Sequence, residues 1–214
     1  MFNGNPADLK QRSPNFNLRL AKLEKGPANS PWHLYCRAGI YFHWALVQFR
    51  FGSHLKAVLN LRKSYQLLKE NERKFPAFRQ NQVLLGAQQA VLGSIPDDYK
   101  WVASMFGLKG DVLKGMGRMA GFIRTADDRE PLKEEAVIIY NYLRFYLQAE
   151  QSQVWQYISS PAFRTEGNLL RSFVKANIAL NYRKAAVALE TLKAASLLPG
   201  YSQFPIFDYE TGIA

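Results

Sequence analysis

The chain has 214 residues, of which 48% are hydrophobic, 14% aromatic and 21% charged, so it fits one folded domain or one compact array of repeats and not a disordered polymer. Its net charge of +11 is concentrated in residues 1–80, where 14 Lys and Arg stand against 4 Asp and Glu, and that asymmetry points to a partner of opposite charge. The single cysteine, Cys36, excludes an internal disulfide and any multi-thiolate metal site.

Residues 1–29 read as a basic lead-in of little regular structure, and 30–214 as the helical domain. The first residues, MFNGNPADLKQRSPNF, lack the apolar core of a signal segment. The most apolar run, AVIIYNYLRFYL, contains Asn141 and Arg144 and is shorter than the roughly 20 residues of a membrane span. The expected compartment is the cytoplasm as the chain stands, and the periplasm or a membrane surface if a natural signal precedes it.

Ser30 and Pro31 open a helix over 30–51 as N-cap and first helical residue, with Leu34, Ala38, Tyr41 and Ala45 at helical spacing. Gly52 and Ser53 interrupt it, and a second helix over 54–75 carries Leu55, Val58, Leu61, Tyr65 and Leu68 on one side before Pro76. A third helix covers 80–92. Further helices are expected over 111–125, 131–150, 154–160, 166–180 and 182–198. The segment over 131–150 is apolar on nearly every side, which predicts burial all round. Pro205 is placed to start a last short helix, which must dock on the pair before it to persist.

The stretch GSIPDDYKWVASMFGLKGD, residues 93–111, holds three carboxylates, yet each unusual residue has a structural explanation. Ser94 and Asp97 have the capping-box spacing, Asp97 and Asp98 favour a helix N-terminus, Gly107 suits a left-handed stop, and Asp111 a fresh N-cap. Trp101 is expected to be buried against the 131–150 helix, with Tyr99, Val102 and Phe106 sharing a side.

The helical pairs carry small residues at their crossings. Ala45 and Ala57 keep the twelve-residue interval of a tetratricopeptide hairpin, whereas the later pair sets Phe173 against Ala185. The expected fold is all-α: a degenerate tetratricopeptide-like helical-repeat superhelix, an α-solenoid, of about eight helices.

Residues 75–122, with Gly86, Pro96, MFGLKGD and Gly115, resemble a signature of a tetratricopeptide-like family. That family includes fungal inclusion-body clearance proteins, their animal tetratricopeptide-39 relatives and bacterial proteins. The bacterial branch is the more similar, through PDDYKW, SPWHLYCRAGIYFHWALVQFRFG and FPIFDYETG. The resemblance covers most of 30–212. It implies an architecture, carries over no catalytic residue, and implies a fragment or shortened member, since such relatives are longer.

Candidate chemistry is sparse. His33 and Cys36 lie one helical turn apart, but two ligands do not make a metal site. GMGRMAG follows no strand and lacks the setting of a dinucleotide fingerprint; close packing at Gly117 and Gly121 accounts for its glycines. Neither a cofactor nor a metal is expected, and no enzymatic activity. Lys56, Lys63 and Lys74 share one helical row beside Arg62, Lys69 and Arg73, which reads either as a solvated face or as a docking surface for an acidic or anionic partner. No recognition-helix motif suggests sequence-specific DNA binding.

The functional expectation is a non-catalytic scaffold that presents a groove to a protein or peptide, with no small-molecule substrate. Phe42, Leu46, Phe49 and Arg50 are the expected groove contacts. The alternative is an adaptor that binds an anionic membrane surface or nucleic acid through the basic N-terminal third. At the other end, the 182–198 helix with Phe204 and Phe207 is expected to leave an apolar surface that favours self-association.

Overall fold

The computed structural model describes residues 6–95, 97, 101 and 104–214. Among these residues the chain is all-helical and contains no strand. Eleven helices are described, against the eight expected: α1 (Pro6–Arg12), α2 (Pro14–Glu24), α3 (Pro31–Arg50), α4 (His54–Lys74), α5 (Asn81–Gly93), α6 (Val112–Thr125), α7 (Lys133–Leu147), α8 (Gln151–Ser159), α9 (Leu169–Asn181), α10 (Ala185–Ala195) and α11 (Ile206–Ile213). Two compact units divide the chain, Met1–Leu143 and Arg144–Ala214.

The extra helices come mainly from the N-terminus. Where the sequence suggests an irregular lead-in, α1 and α2 form, each opened by a proline. Pro fits a first helical turn because the N–H it lacks would have no partner there. Phe16 of α2 then stacks on Trp44 at 5.3 Å and meets Tyr41 edge-on at 5.5 Å, which docks α2 on α3.

In the first unit α3 and α4 run antiparallel. The Ser64 hydroxyl donates to the Ala38 carbonyl at 2.8 Å, and the Asn60 amide donates to Gln48 Oε1 at 2.7 Å. Ala45 and Ala57 fall in the same register, and both are buried. The apolar side expected of α4 is rotated: Leu55 is exposed, and the buried stripe is Ala57, Ser64, Leu67, Leu68 and Asn71. Two polar residues are tolerated there because they are bonded. Gln88 donates to Ser64 Oγ at 2.6 Å, Asn71 to Asn81 at 3.2 Å, and Asn81 to the Leu68 carbonyl at 2.9 Å. Around this chain pack Leu34, Tyr35, Ala38, Leu67, Leu68, Leu84 and Leu85.

Helix α5 is the centre of the unit, and most of its residues are buried. Its backbone nearly touches α6. A Cβ on Gly115 would lie 2.5 Å from both the Gly86 carbonyl oxygen and the Ala90 nitrogen, so only glycine permits the crossing. Gly117 and Gly121, which the sequence suggests as packing positions, have open space around them. Val83, Phe122, Ala126 and Ala136 close a second small core, but α7 is half-buried along most of its length and not enclosed all round.

Two features of the 93–111 corner are as expected. Asp111 caps α6 by accepting from the Lys114 N–H at 2.9 Å, and Gly107 has φ +66°. Two details differ. Ser94 donates its hydroxyl back to the Val91 carbonyl instead of capping forward. Trp101 is 62% exposed, so it is not a core residue. Asp98, Tyr99 and Val102 lie outside the described residues.

In the second unit α9 and α10 form a hairpin with the same turn as α3 and α4. Around the first turn Phe51, Gly52 and Ser53 donate their N–H groups to Val47, Phe49 and Gln48. Around the second, Tyr182, Arg183 and Lys184 donate to Ile178, Leu180 and Ala179, the equivalent positions. Gly52 has φ +74° and Arg183 φ +59°, so both turns pass through the left-handed region at the same residue. The small pair follows suit. Ala176 and Ala188 are both fully buried and twelve apart, matching Ala45 and Ala57, while Ala185 is exposed. The second hairpin therefore keeps the interval, three residues beyond the expected Phe173 and Ala185.

Helix α11 docks on this hairpin as its length requires. Phe207 is 2% exposed among Ala176, Ala179, Ala188, Leu192 and Ala195, and its ring meets Tyr201 at 4.9 Å. It is thus part of a core and not of an open apolar face. Leu197, Phe204, Tyr209 and Ile213 remain exposed.

Candidate docking surface

The expected contact residues do not form one site. Phe42 is half-buried and packs against the α3–α4–α5 core. Leu46, Phe49 and Arg50 are exposed on the last two turns of α3, with the Phe49 ring 5.8 Å from that of His54. Lys56 and Lys63 are exposed on α4 and unpaired among the described residues. Lys74 is held by Glu70 at 2.6 Å, and the hydrogen bond from Lys74 keeps the Glu70 carboxyl below its ordinary range.

Neighbouring acids also occupy part of the basic row. Lys69 pairs with Glu72 at 2.6 Å, and Arg118 reaches the other oxygen of that carboxylate while bonding Gln82. Burial alone would raise the Glu72 carboxyl, but the hydrogen bonds from Lys69 and Arg118 outweigh it and hold the group below its usual value. The Glu72 contacts tie α4, α5 and α6 together, while Lys69 and Lys74 stay exposed with their charge partly offset by the neighbouring acids.

The structure instead brings α2, α3 and α4 around an open cleft of about 640 Å³, lined by Ser13, Pro14, Phe16, Asn17, Trp44, Gln48, Lys56, Leu59 and Asn60. Of the residues expected from sequence only Lys56 lies in it. The Phe16–Trp44 stack forms its inner wall, and Leu59 is 47% exposed. On the opposite side of that stack a smaller cleft of about 260 Å³ is lined by Arg12, Asn15, Phe16, Arg19, Ile40, His43, Trp44 and Val47. Neither lining contains an acidic side chain.

The cleft was hidden in the sequence because one wall is α2, in a segment that reads as an irregular lead-in although Leu9, Phe16, Leu20 and Leu23 recur at helical spacing. Its signals were two prolines placed to start helices and a lone aromatic, Phe16, between them and Leu20.

The larger cleft offers three side-chain amides, one ammonium and one hydroxyl, and Ser13 already donates that hydroxyl to the Lys10 carbonyl at 3.2 Å. His33 and Cys36 are half-buried in α3, and burial raises the Cys36 thiol above its ordinary value. Among the described residues no group of three or more His, Cys, Asp or Glu side chains gathers in a metal-binding arrangement, and no helix is long and apolar enough to cross a membrane. Comparison with protein-family models, curated proteins and solved structures found no match for this chain.

Proposed function

We propose that the chain is a non-catalytic, tetratricopeptide-like helical-repeat scaffold that holds a peptide segment of a partner protein in the α2–α3–α4 cleft. The repeat reading is supported by the two hairpins, whose turns share the same hydrogen bonds, the same left-handed residue and the same buried alanine pair. A single supersecondary unit used twice is the elementary sign of a repeat protein, even where the intervening helices have lost the spacing.

The observation that carries the binding reading is the composition of the cleft. Its volume lies in the range of ligand sites. Phe16, Trp44 and Leu59 supply apolar and aromatic contact, while Asn17, Gln48 and Asn60 supply donors and acceptors of the kind a peptide backbone matches. Gln48 and Asn60 bond each other through one atom apiece, leaving Gln48 Nε2 and Asn60 Oδ1 for an occupant. Lys56 favours an acidic residue in that occupant.

Selection of a displayed random-peptide library on the intact chain tests this. Enriched sequences should carry an acidic residue beside an apolar one. Their binding should be lost in Leu59→Asp and Lys56→Glu and kept in Leu113→Asp, a change at another exposed leucine. No enrichment, or enrichment indifferent to Leu59 and Lys56, would overturn the proposal.

A further inference from the structure

Helices α1 and α2 present a second surface, on the side turned away from the protein. Ser13 between them keeps helical angles, φ −56° and ψ −35°, and its N–H donates to the Leu9 carbonyl at 2.8 Å. The two helices therefore continue in nearly one direction, and a single 100° wheel describes both. One arc of that wheel carries Leu9, Phe16, Leu20 and Leu23, all buried or half-buried. The opposite arc has Leu18 at its centre, 59% exposed. Lys22 follows on one side of it and Lys25 and Lys10 on the other, all exposed, whereas Arg19 and Arg12 lie further round, in the lining of the smaller cleft on α3. None of these three lysines is ion-paired among the described residues. The acids of this segment are Asp8 and Glu24.

We infer that the outer face of α1–α2 docks on an anionic lipid bilayer. Charge complementarity is the first argument. Three unpaired lysines within about 80° of Leu18 on the wheel face a flat negative surface together, and each strengthens partitioning by about fivefold. Leu18 is the second argument. A large apolar side chain held at the centre of a cationic arc gains by entering the headgroup boundary, and would lie against hydrated phosphates on a nucleic-acid duplex. The mode is peripheral: the apolar arc of the helix is committed to α3 through Phe16, so only Leu18 and the cations reach the lipid. This inference stands independently of the peptide-binding reading, which uses the cleft side of the same helix.

Co-sedimentation of the full chain with vesicles of phosphatidylcholine and phosphatidylserine tests it, with pure phosphatidylcholine vesicles as reference. The chain should bind the mixed vesicles, release as salt is raised, and ignore the neutral ones. Lys10→Gln with Lys22→Gln and Lys25→Gln should weaken binding about a hundredfold, and Leu18→Ser severalfold. Lys109→Gln with Lys114→Gln and Lys193→Gln, three exposed cations elsewhere, should leave it unchanged. Circular dichroism of each variant establishes that it is folded. Absence of vesicle binding, equal losses in the two triple variants, or tighter binding to a DNA duplex than to the mixed vesicles would each overturn the inference.

Discussion

Replacing Gly115 by alanine tests the account of the α5–α6 crossing, because two effects of opposite sign meet there. In a solvated helix Gly→Ala stabilises by about 1 kcal/mol. At this position the new Cβ would lie 2.5 Å from the Gly86 oxygen and Ala90 nitrogen and 3.0 Å from the Ala90 Cα. All three are backbone atoms, so no side chain can swing aside. Restoring ordinary contact requires the helices to part by roughly 1 Å, and overpacking of this kind costs about 1–3 kcal/mol or somewhat more. The net expectation is a loss of about 1–2 kcal/mol. Gly117→Ala is the matched control, since nothing lies within 4 Å of its added Cβ and only the helical gain remains. In urea or thermal unfolding the two variants should move to opposite sides of the wild type, with Tm falling by roughly 2–8 °C for Gly115→Ala and rising by a few degrees for Gly117→Ala. The reasoning fails if Gly115→Ala is as stable as the wild type, or if both variants shift in the same direction.

Other expectations follow from the same physical reading. Ser64→Ala should cost about 1–3 kcal/mol in chemical denaturation, because it leaves the buried Gln88 amide without its acceptor. Arg183→Gly should raise the unfolding midpoint by an amount corresponding to about 0.5–1 kcal/mol, since Arg183 occupies the left-handed region at φ +59° and Gly52 fills the same place in the first turn. Glu72 has a folded pKa below its unfolded value, so its contribution is complete above the ordinary carboxylate range and is lost as pH falls through the lowered value. Glu72→Gln should therefore lose stability at neutral pH and show a shallower decline under acid than the wild type.

Most helices were legible from periodicity, caps and proline placement: Ser30–Pro31 before α3, Pro76 after α4, and Asp111 before α6. The spacing of Ala45 and Ala57 also identified a close hairpin. What escaped the sequence depends on contacts made across long separations. The buried stripe of α4 includes Ser64 and Asn71, which a hydrophobic pattern assigns to solvent, and they are inside only because α3 and α5 supply their hydrogen-bond partners. Gly115 and Gly117 look alike in sequence, and the close approach of the Gly86 and Ala90 backbone to Gly115 distinguishes them. The Trp101 expectation failed for a related reason: an aromatic beside two glycine corners suggests a core, but the residue projects outward. The cleft was harder still, because a helix in a segment read as irregular supplies one of its walls through Phe16.

Side-chain oxidation footprinting of the chain, with and without a peptide selected on it, tests the central claim most directly. The account predicts that Phe16, Trp44 and Leu59 lose reactivity when the peptide binds, while Leu46 and Phe49 on the other side of α3 keep theirs. Protection confined to Leu46 and Phe49, with Trp44 and Leu59 unchanged, would contradict it and place binding on the face outside the cleft.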